Sequence, residues 1–325
     1  MNIIVTGASG FIGSSLIKAL SAAGHTGCAV SRRLMTGLPI GWQWVERQHA
    51  MRDEWGKAGG ALAPDCVIHL EVKQHVIRPS SADCEEFESV NVRGTRQWLN
   101  WCERRDVLRF AYFSTIKAVG DSTGCQDEEA DSEPSTPYGQ SKRVAEGLVR
   151  AWSAAKPERT SIIFRPAVIY GPGNKGNVFA MVEAIDRGCF YIIGCGDNVK
   201  SLVSINNVAA AVVFLLRENQ PGCHVYNVVD RESYTVCDLV DMIMKEMGCS
   251  RTVKSLPLGV ASIIALLGDA AFFVGLRFPL NQSRLKALVE TTYFSCAQLV
   301  SKGFVHPQST KAGLAEMVHW YRSIS

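Results

Sequence analysis

The chain has 325 residues, 47% apolar and 20% charged, which suits one large domain plus a smaller one, or two of similar size, with a sizeable core. Its 34 basic and 31 acidic side chains leave a net charge of +3 with no basic stripe, which argues against nucleic acid as a partner. Eleven cysteines, without a C-x-x-C pair or regular spacing, argue against a disulfide framework or a zinc site and read as reduced, mostly core thiols.

The first predicted strand, Ile3 to Thr6, starts so early that no secretory signal precedes it, so a cytoplasmic protein is expected. It runs into Gly7-Ala8-Ser9-Gly10-Phe11-Ile12-Gly13, and an apolar-periodic helix follows from Phe11 to Leu20. A glycine-rich strand-to-helix turn is where a dinucleotide pyrophosphate binds: Gly7 allows the turn, Gly10 the approach of phosphate, and Gly13 helix packing. Gly7, Ser9, Gly10, Phe11, Ile12 and Gly13 are therefore candidate cofactor contacts. The second strand, Cys28 to Ser31, ends in Ser31, Arg32 and Arg33, where an acidic residue would take the ribose hydroxyls of NAD. Arginine there can hold a 2′-phosphate, which slightly favours NADP over NAD; the alternative is a pair of solvated surface arginines. A third strand, Cys66 to Leu70, carries His69, read as core or cofactor-lining, and brings Leu70 to the cofactor. His69 and His75 have no carboxylate or cysteine pattern around them, so no metal is expected.

Strands at Arg109–Ser114 and Ser161–Arg165 complete the alternation with helices, and an acidic, turn-rich loop spans Gly120 to Pro137. This is the signature of an α/β fold with a doubly wound parallel (Rossmann) sheet. Residues 1–166 read as the dinucleotide-binding domain. Residues 167–325 read as mainly a smaller C-terminal α/β substrate lobe, with segments at about 199–234 returning to the sheet, and the substrate is expected between the two.

Tyr138 and Lys142 stand four residues apart, on one face of the predicted helix. An ammonium beside the phenol would favour its ionised form over the reference pKa of about 10. Such a tyrosine exchanges a proton with a substrate oxygen while hydride passes to or from a nicotinamide. Farther on, Leu256 to Gly268 carries no charge and the chain is apolar again after Asp269 to Leu276, but neither piece reaches the roughly 18 residues of a spanning helix. They read either as an apolar helical pair over the substrate lobe or as an interfacial anchor, with Arg251, Lys254, Arg277 and Arg284 near lipid phosphates.

Five segments together carry a resemblance: Thr6–Gly13, Asn91-Val92-Arg93-Gly94-Thr95, Ser114-Thr115 with Val119-Gly120, the Tyr138/Lys142 pair, and Arg165-Pro166 with Tyr170-Gly171-Pro172-Gly173. Over nearly its whole length the chain resembles the extended short-chain dehydrogenase/reductase family, in its NAD-dependent epimerase/dehydratase branch. The resemblance implies that Thr115 hydrogen-bonds the sugar oxygen at the reacting carbon and that Tyr138 is the acid/base. It implies that Lys142 holds the nicotinamide ribose and tunes Tyr138, and that Asn91 and Pro166 belong to the cofactor site. It also implies a homodimer through the helices flanking Asn91 and Tyr138. Two departures stand out: Glu71 replaces a small residue, and Ile116 and Lys117 follow Thr115 where 4,6-dehydratases carry an acidic pair. The second disfavours a dehydratase.

On the substrate side, Gly173 to Val178 followed by Lys200 resembles the segment that grips a sugar diphosphate, with Asn177, Val178, Lys200 and, more weakly, Arg284 as contacts. The resemblance points to an NAD(P)-dependent UDP-hexose or UDP-N-acetylhexosamine 4-epimerase acting through a 4-keto intermediate. The alternatives are an NADPH-dependent 4-ketoreductase of a UDP-4-keto-deoxy amino sugar and a 4-epimerase of a polyprenyl-diphosphate-linked sugar. A sterol-type dehydrogenase and a non-catalytic nucleotide sensor are weaker readings.

Overall fold

A strand-helix alternation fills the first half of the chain in the computed structural model, which describes residues 1–55, 63–76, 79–122, 124–217, 220–273 and 280–325. Its elements are β1 (Asn2–Thr6), α1 (Phe11–Ala22), β2 (Thr26–Ser31), β3 (Trp42–Glu46), α2 (Arg47–Met51), β4 (Cys66–His69) and α3 (Ser81–Glu86). A π-helical turn at Phe87–Arg93 leads into α4 (Gly94–Arg104), then β5 (Arg109–Phe113), a 3₁₀ turn at Ile116–Ala118, α5 (Pro137–Ala154) and β6 (Thr160–Pro166). The second half holds β7 (Val168–Tyr170), α6 (Asn177–Asp186), β8 (Tyr191–Ile193), β9 (Val199–Lys200), β10 (Leu202–Ser204), α7 (Ile205–Leu215) and β11 (Gly222–Val228). It closes with β12 (Tyr234–Thr235), α8 (Val236–Glu246), β13 (Lys254–Leu256), α9 (Leu258–Phe273), α10 (Gln282–Val289), α11 (Ala297–Ser301) and α12 (Thr310–Ile324).

Seven parallel strands lie in the order β11-β6-β5-β4-β1-β2-β3. Alternate side chains serve opposite faces, as the strand period of two requires. Ile3 and Val5 face one core with Leu16 and Leu20 of α1 and Val212 of α7. Ile4 faces the other with Trp98 of α4 and Val149 of α5. Both faces are therefore covered, which is why these strands read as continuous apolar runs. A third core, including Val178, Leu239, Ile243, Leu314 and Met317, holds the lobe beyond the sheet.

One strand of the sheet, β3, has no counterpart among the predicted strands, and β11 falls within the segments at about 199–234 expected to return to the sheet, without predicted bounds of its own. β3 is a five-residue edge strand interrupted by Gln43 and ending in Glu46. β11 carries His224 and Asn227 yet pairs with β6 over seven consecutive residues, from Gly222↔Thr160 to Val228↔Pro166. The cysteines need a correction: all eleven are free thiols, but only Cys28, Cys66, Cys102 and Cys296 are buried. Cys84, Cys125, Cys189 and Cys195 are exposed, because they lie in loops or on outward helix faces rather than in strands.

Candidate active site

The strand order reverses between β1 and β4, and the crevice beyond their carboxyl ends is the ligand position of such sheets. Gly7 turns there with φ +64°, and a β-carbon on it would lie 2.8 Å from the carbonyl carbon of Leu70. One on Gly13 would lie 2.6 Å from the Ala8 carbonyl oxygen, so α1 sits tight against the loop. α1 starts at Gly10 with no side-chain cap. Its first-turn amides suit a pyrophosphate, and the residues present fit a dinucleotide. Ser9 and Gly10 are exposed, and Phe11 and Ile12 are half-buried. The Leu70 N–H donates to Thr6 Oγ1 (3.2 Å), which also lies 2.8 Å from His69 Nδ1. His69 is fully buried, so it is a core residue tying β4 to β1.

At the end of β2 the Ser31 hydroxyl is committed: it donates to the Arg33 carbonyl (2.6 Å) and accepts from Trp44 Nε1 (3.0 Å). Arg32 and Arg33 are exposed just beyond it. The Glu71 carboxylate pairs with Arg47 Nε at 2.8 Å, and Arg47 also donates to Gln97. The acid beside the glycine turn thus carries its own counter-ion. Among the described residues no group of His, Cys, Asp and Glu is arranged to hold a metal ion.

Thr115 follows the carboxyl end of β5, and Tyr138 opens α5, capped by Thr136 with Pro137 at the first helical position. Gly139 brings the two together: a β-carbon on it would lie 2.2 Å from the Lys117 carbonyl oxygen, so the start of α5 presses on the turn after Thr115. Tyr138 is half-buried, with the rings of His75 and Phe87 edge-on at 5.9 and 6.0 Å. Burial pushes its phenol up to about 12, opposed by a side-chain hydrogen bond with Thr115. Lys142 is fully buried, donates from Nζ to the Phe113 carbonyl (2.5 Å), and lies over the Tyr112 ring. Burial pushes it down to about 7, against a smaller upward pull from Glu146. The expected ammonium-lowered phenol is therefore not what stands here, because the ammonium is turned to a main-chain carbonyl and burial governs both groups.

Asn91, on the π-helical turn, accepts from the Lys73 N–H (2.8 Å) and donates to Ser141 Oγ (2.9 Å), which donates to the Tyr138 carbonyl. It clamps the loop after β4 to α5. Pro166 ends β6, buried beside Val228. A buried group not foreseen from the sequence completes this wall. Glu146 accepts from Ser114 Oγ (2.5 Å) and twice from Arg165, from Nε at 3.0 Å and Nη2 at 2.7 Å. The signal was available: Glu146 falls four residues after Lys142, on the same helix face.

The profile of the NAD dependent epimerase/dehydratase family matches residues 3–228, more than half of the chain. The chain belongs to that family. As a member it is an extended short-chain dehydrogenase/reductase enzyme. Among curated relatives, N-acetyl-alpha-D-glucosaminyl-diphospho-ditrans,octacis-undecaprenol 4-epimerase of Escherichia coli O157:H7 is 28% identical over 319 residues, 96% of this chain and 93% of the relative. UDP-glucose 4-epimerase of Vibrio cholerae is 26% identical, over 74% of each chain. Among solved structures, MoeE5 in complex with UDP-glucuronic acid and NAD superposes with a TM-score of 0.76 at 24% identity, covering all of both chains. UDP-glucuronic acid 4-epimerase from Bacillus cereus, in complex with NAD, gives 0.76 at 19% identity, covering 100% of this chain and 99% of the other.

In this epimerase/dehydratase-family chain the residues proposed for the substrate are spread along the lobe. Asn177 is the exposed first residue of α6, whose N-terminus has no side-chain cap. The Val178 side chain packs into the lobe core, leaving its backbone as the part available to a ligand. Lys200 is half-buried and donates from Nζ to the carbonyls of Ala287 (2.9 Å) and Glu290, at the end of α10. Burial pushes its ammonium down to about 8, with repulsion from Lys117 adding to the shift. Arg284 is exposed on the first turn of α10. Ile116 is buried, and Lys117 lies 3.7 Å from both Asp121 and Glu290. The position that is acidic in dehydratases is thus a cation between two carboxylates.

Proposed function

We propose that the protein is a 4-epimerase of a sugar diphosphate, with UDP-hexoses and UDP-N-acetylhexosamines as the first substrates to test. The observation that carries this reading is the hydroxyl pair of Thr115 and Tyr138 one helical turn from buried Lys142, at the strand ends that flank the glycine turn. Tyr138 takes the proton of the sugar C4 hydroxyl and later returns it; Thr115 holds the same oxygen, since a hydroxyl both donates and accepts. A bound nicotinamide dinucleotide supplies reversible two-electron acceptance at C4, so the sugar passes through a 4-keto state. Gly7, Gly10 and Gly13, with the α1 N-terminus, would hold its pyrophosphate, and Lys142 its nicotinamide ribose. The long relative from E. coli supports epimerisation at C4, and it supports a polyprenyl diphosphate as carrier beside UDP.

One observation favours a second reading. Arg32 and Arg33 are exposed where a 2′-phosphate would lie, as suits a 4-ketoreductase that takes up NADPH and releases NADP. The deciding experiment is to denature freshly purified protein, identify the released dinucleotide by mass spectrometry and measure its amount per subunit. Near-stoichiometric NAD supports an epimerase that recycles a retained cofactor; empty sites that take up NADPH support the reductase. A homodimer through α4 and α5 belongs to the same proposal, and the exposed Val144 on α5 fits an interface there.

A further inference from the structure

Helix α9 has no ionisable residue before Asp269. Ala261 and Ala265 are buried against Leu285 of α10. On the opposite side Val260, Ile263, Leu266 and Leu267 share one face at helical spacing, and the last three are 61%, 59% and 62% exposed. A surface helix ordinarily turns polar residues outward, so a large aliphatic face left bare marks a contact surface. Charge indicates what covers it. Arg251 and Lys254 are exposed just before the helix, and Arg284 is exposed on the neighbouring α10. The one carboxylate of α9, Asp269, accepts from the Gln282 N–H toward α10. An apolar face with exposed cations on the adjoining segments matches a bilayer that carries anionic headgroups. α10 also carries this surface to the cleft, because Lys200 donates to carbonyls at its far end.

We propose that α9 docks on the surface of an anionic phospholipid bilayer, with Ile263, Leu266 and Leu267 among the acyl chains and Arg251 and Lys254 on lipid phosphates. A sugar diphosphate on a lipid carrier then reaches the cleft from the membrane side; this last part rests on the sugar-diphosphate reading, whereas the docking does not. Among the described residues no helix is long and apolar enough to cross a membrane, so the contact is interfacial.

The test is co-sedimentation of the full chain with vesicles of phosphatidylcholine, with and without phosphatidylglycerol. Wild type is expected to bind the anionic vesicles and to be released by salt. Arg251→Ala and Lys254→Ala each lower the partition by about fivefold. The double variant Ile263→Glu, Leu267→Glu lowers it by roughly tenfold or more, while keeping wild-type turnover on a soluble UDP-sugar, which shows that it is folded. Wild type that stays in the supernatant, or a double variant that binds as well as wild type, overturns the proposal. So does a double variant whose only change is a smaller mass in sedimentation velocity, since the face would then be an interface between copies. Vesicle binding that follows the expected pattern in a protein inert on every sugar diphosphate would leave the docking standing and remove the epimerase reading.

Discussion

Tyr138 and Lys142 hold opposite shifts from one cause. Burial disfavours charge on either, which lifts the phenol to about 12 and lowers the ammonium to about 7. At neutral pH the Tyr138 phenol therefore rests protonated, and it must give up that proton before it can take one from the sugar C4 hydroxyl. Tyr138→Phe removes that proton and little volume, so turnover should fall by about 10²-fold or more with the dinucleotide dissociation constant unchanged; stopped turnover assays and a fluorescence titration check both, and near-normal turnover would refute the role. Lys142 also links stability to pH. Its folded pKa lies below the unfolded value, so between about 7 and the ordinary lysine range the unfolded chain binds more protons and wild-type stability rises with pH. Lys142→Met lacks that titration; its Tm relative to wild type should climb as pH falls from the lysine range toward 7, and a difference independent of pH would contradict it. That Thr115, Tyr138 and Lys142 stand near one another was legible in the sequence, because their spacing and the neighbouring motifs point to it. Their electrostatics were not, because the rings beside Tyr138 and the Phe113 carbonyl that takes the lysine come from distant segments.

Among the elements, the seating of α5 matters most to the site. Its third turn is locked by the Glu146–Arg165 pair, and its start is pressed on the Lys117 carbonyl at Gly139. Gly139→Ala puts a β-carbon against backbone that cannot move aside, so α5 must shift and Tyr138 leaves Thr115. Activity should drop by about 10²-fold, while dinucleotide binding at the separate β1–α1 turn persists; wild-type turnover in this variant would show that the close approach is not needed. Glu146→Leu strands the Arg165 guanidinium in the core at a cost of about 3–5 kcal/mol, which urea unfolding would register as a lower midpoint. Strands with unbroken apolar runs were legible, and so was the glycine turn. β11 was legible only as part of a stretch returning to the sheet, because its polar residues hide the bounds of a strand that the seven-residue register with β6 supports.

At the scale of the molecule, one buried carboxylate ties elements of the lobe to the end of the sheet. Asp230 lies just past β11 and is buried. Its Oδ1 accepts from the Ser204 N–H (3.0 Å) and Asn207 Nδ2 (2.7 Å), and its Oδ2 from the Tyr170 hydroxyl (2.9 Å) and Thr310 Oγ1 (3.1 Å). The donors belong to β10, α7, β7 and α12, so four elements meet on one side chain. No sequence pattern announces this, because the partners are between 23 and 80 residues away. Hydrogen bonds to a charged group contribute about 1.5–3 kcal/mol each, and they act here as a unit. Asp230→Asn keeps the shape but turns one acceptor into a donor that faces other donors. Unfolding free energy should fall by about 2–4 kcal/mol. The loop from Gly171 to Asn177 follows Tyr170 directly, so loosening this junction should raise KM for the sugar while the dinucleotide, held at the other end of the sheet, binds as before. Urea unfolding with a dinucleotide titration and substrate kinetics would separate the two effects, and unchanged stability with unchanged KM would show that the junction is held by the apolar lobe core alone.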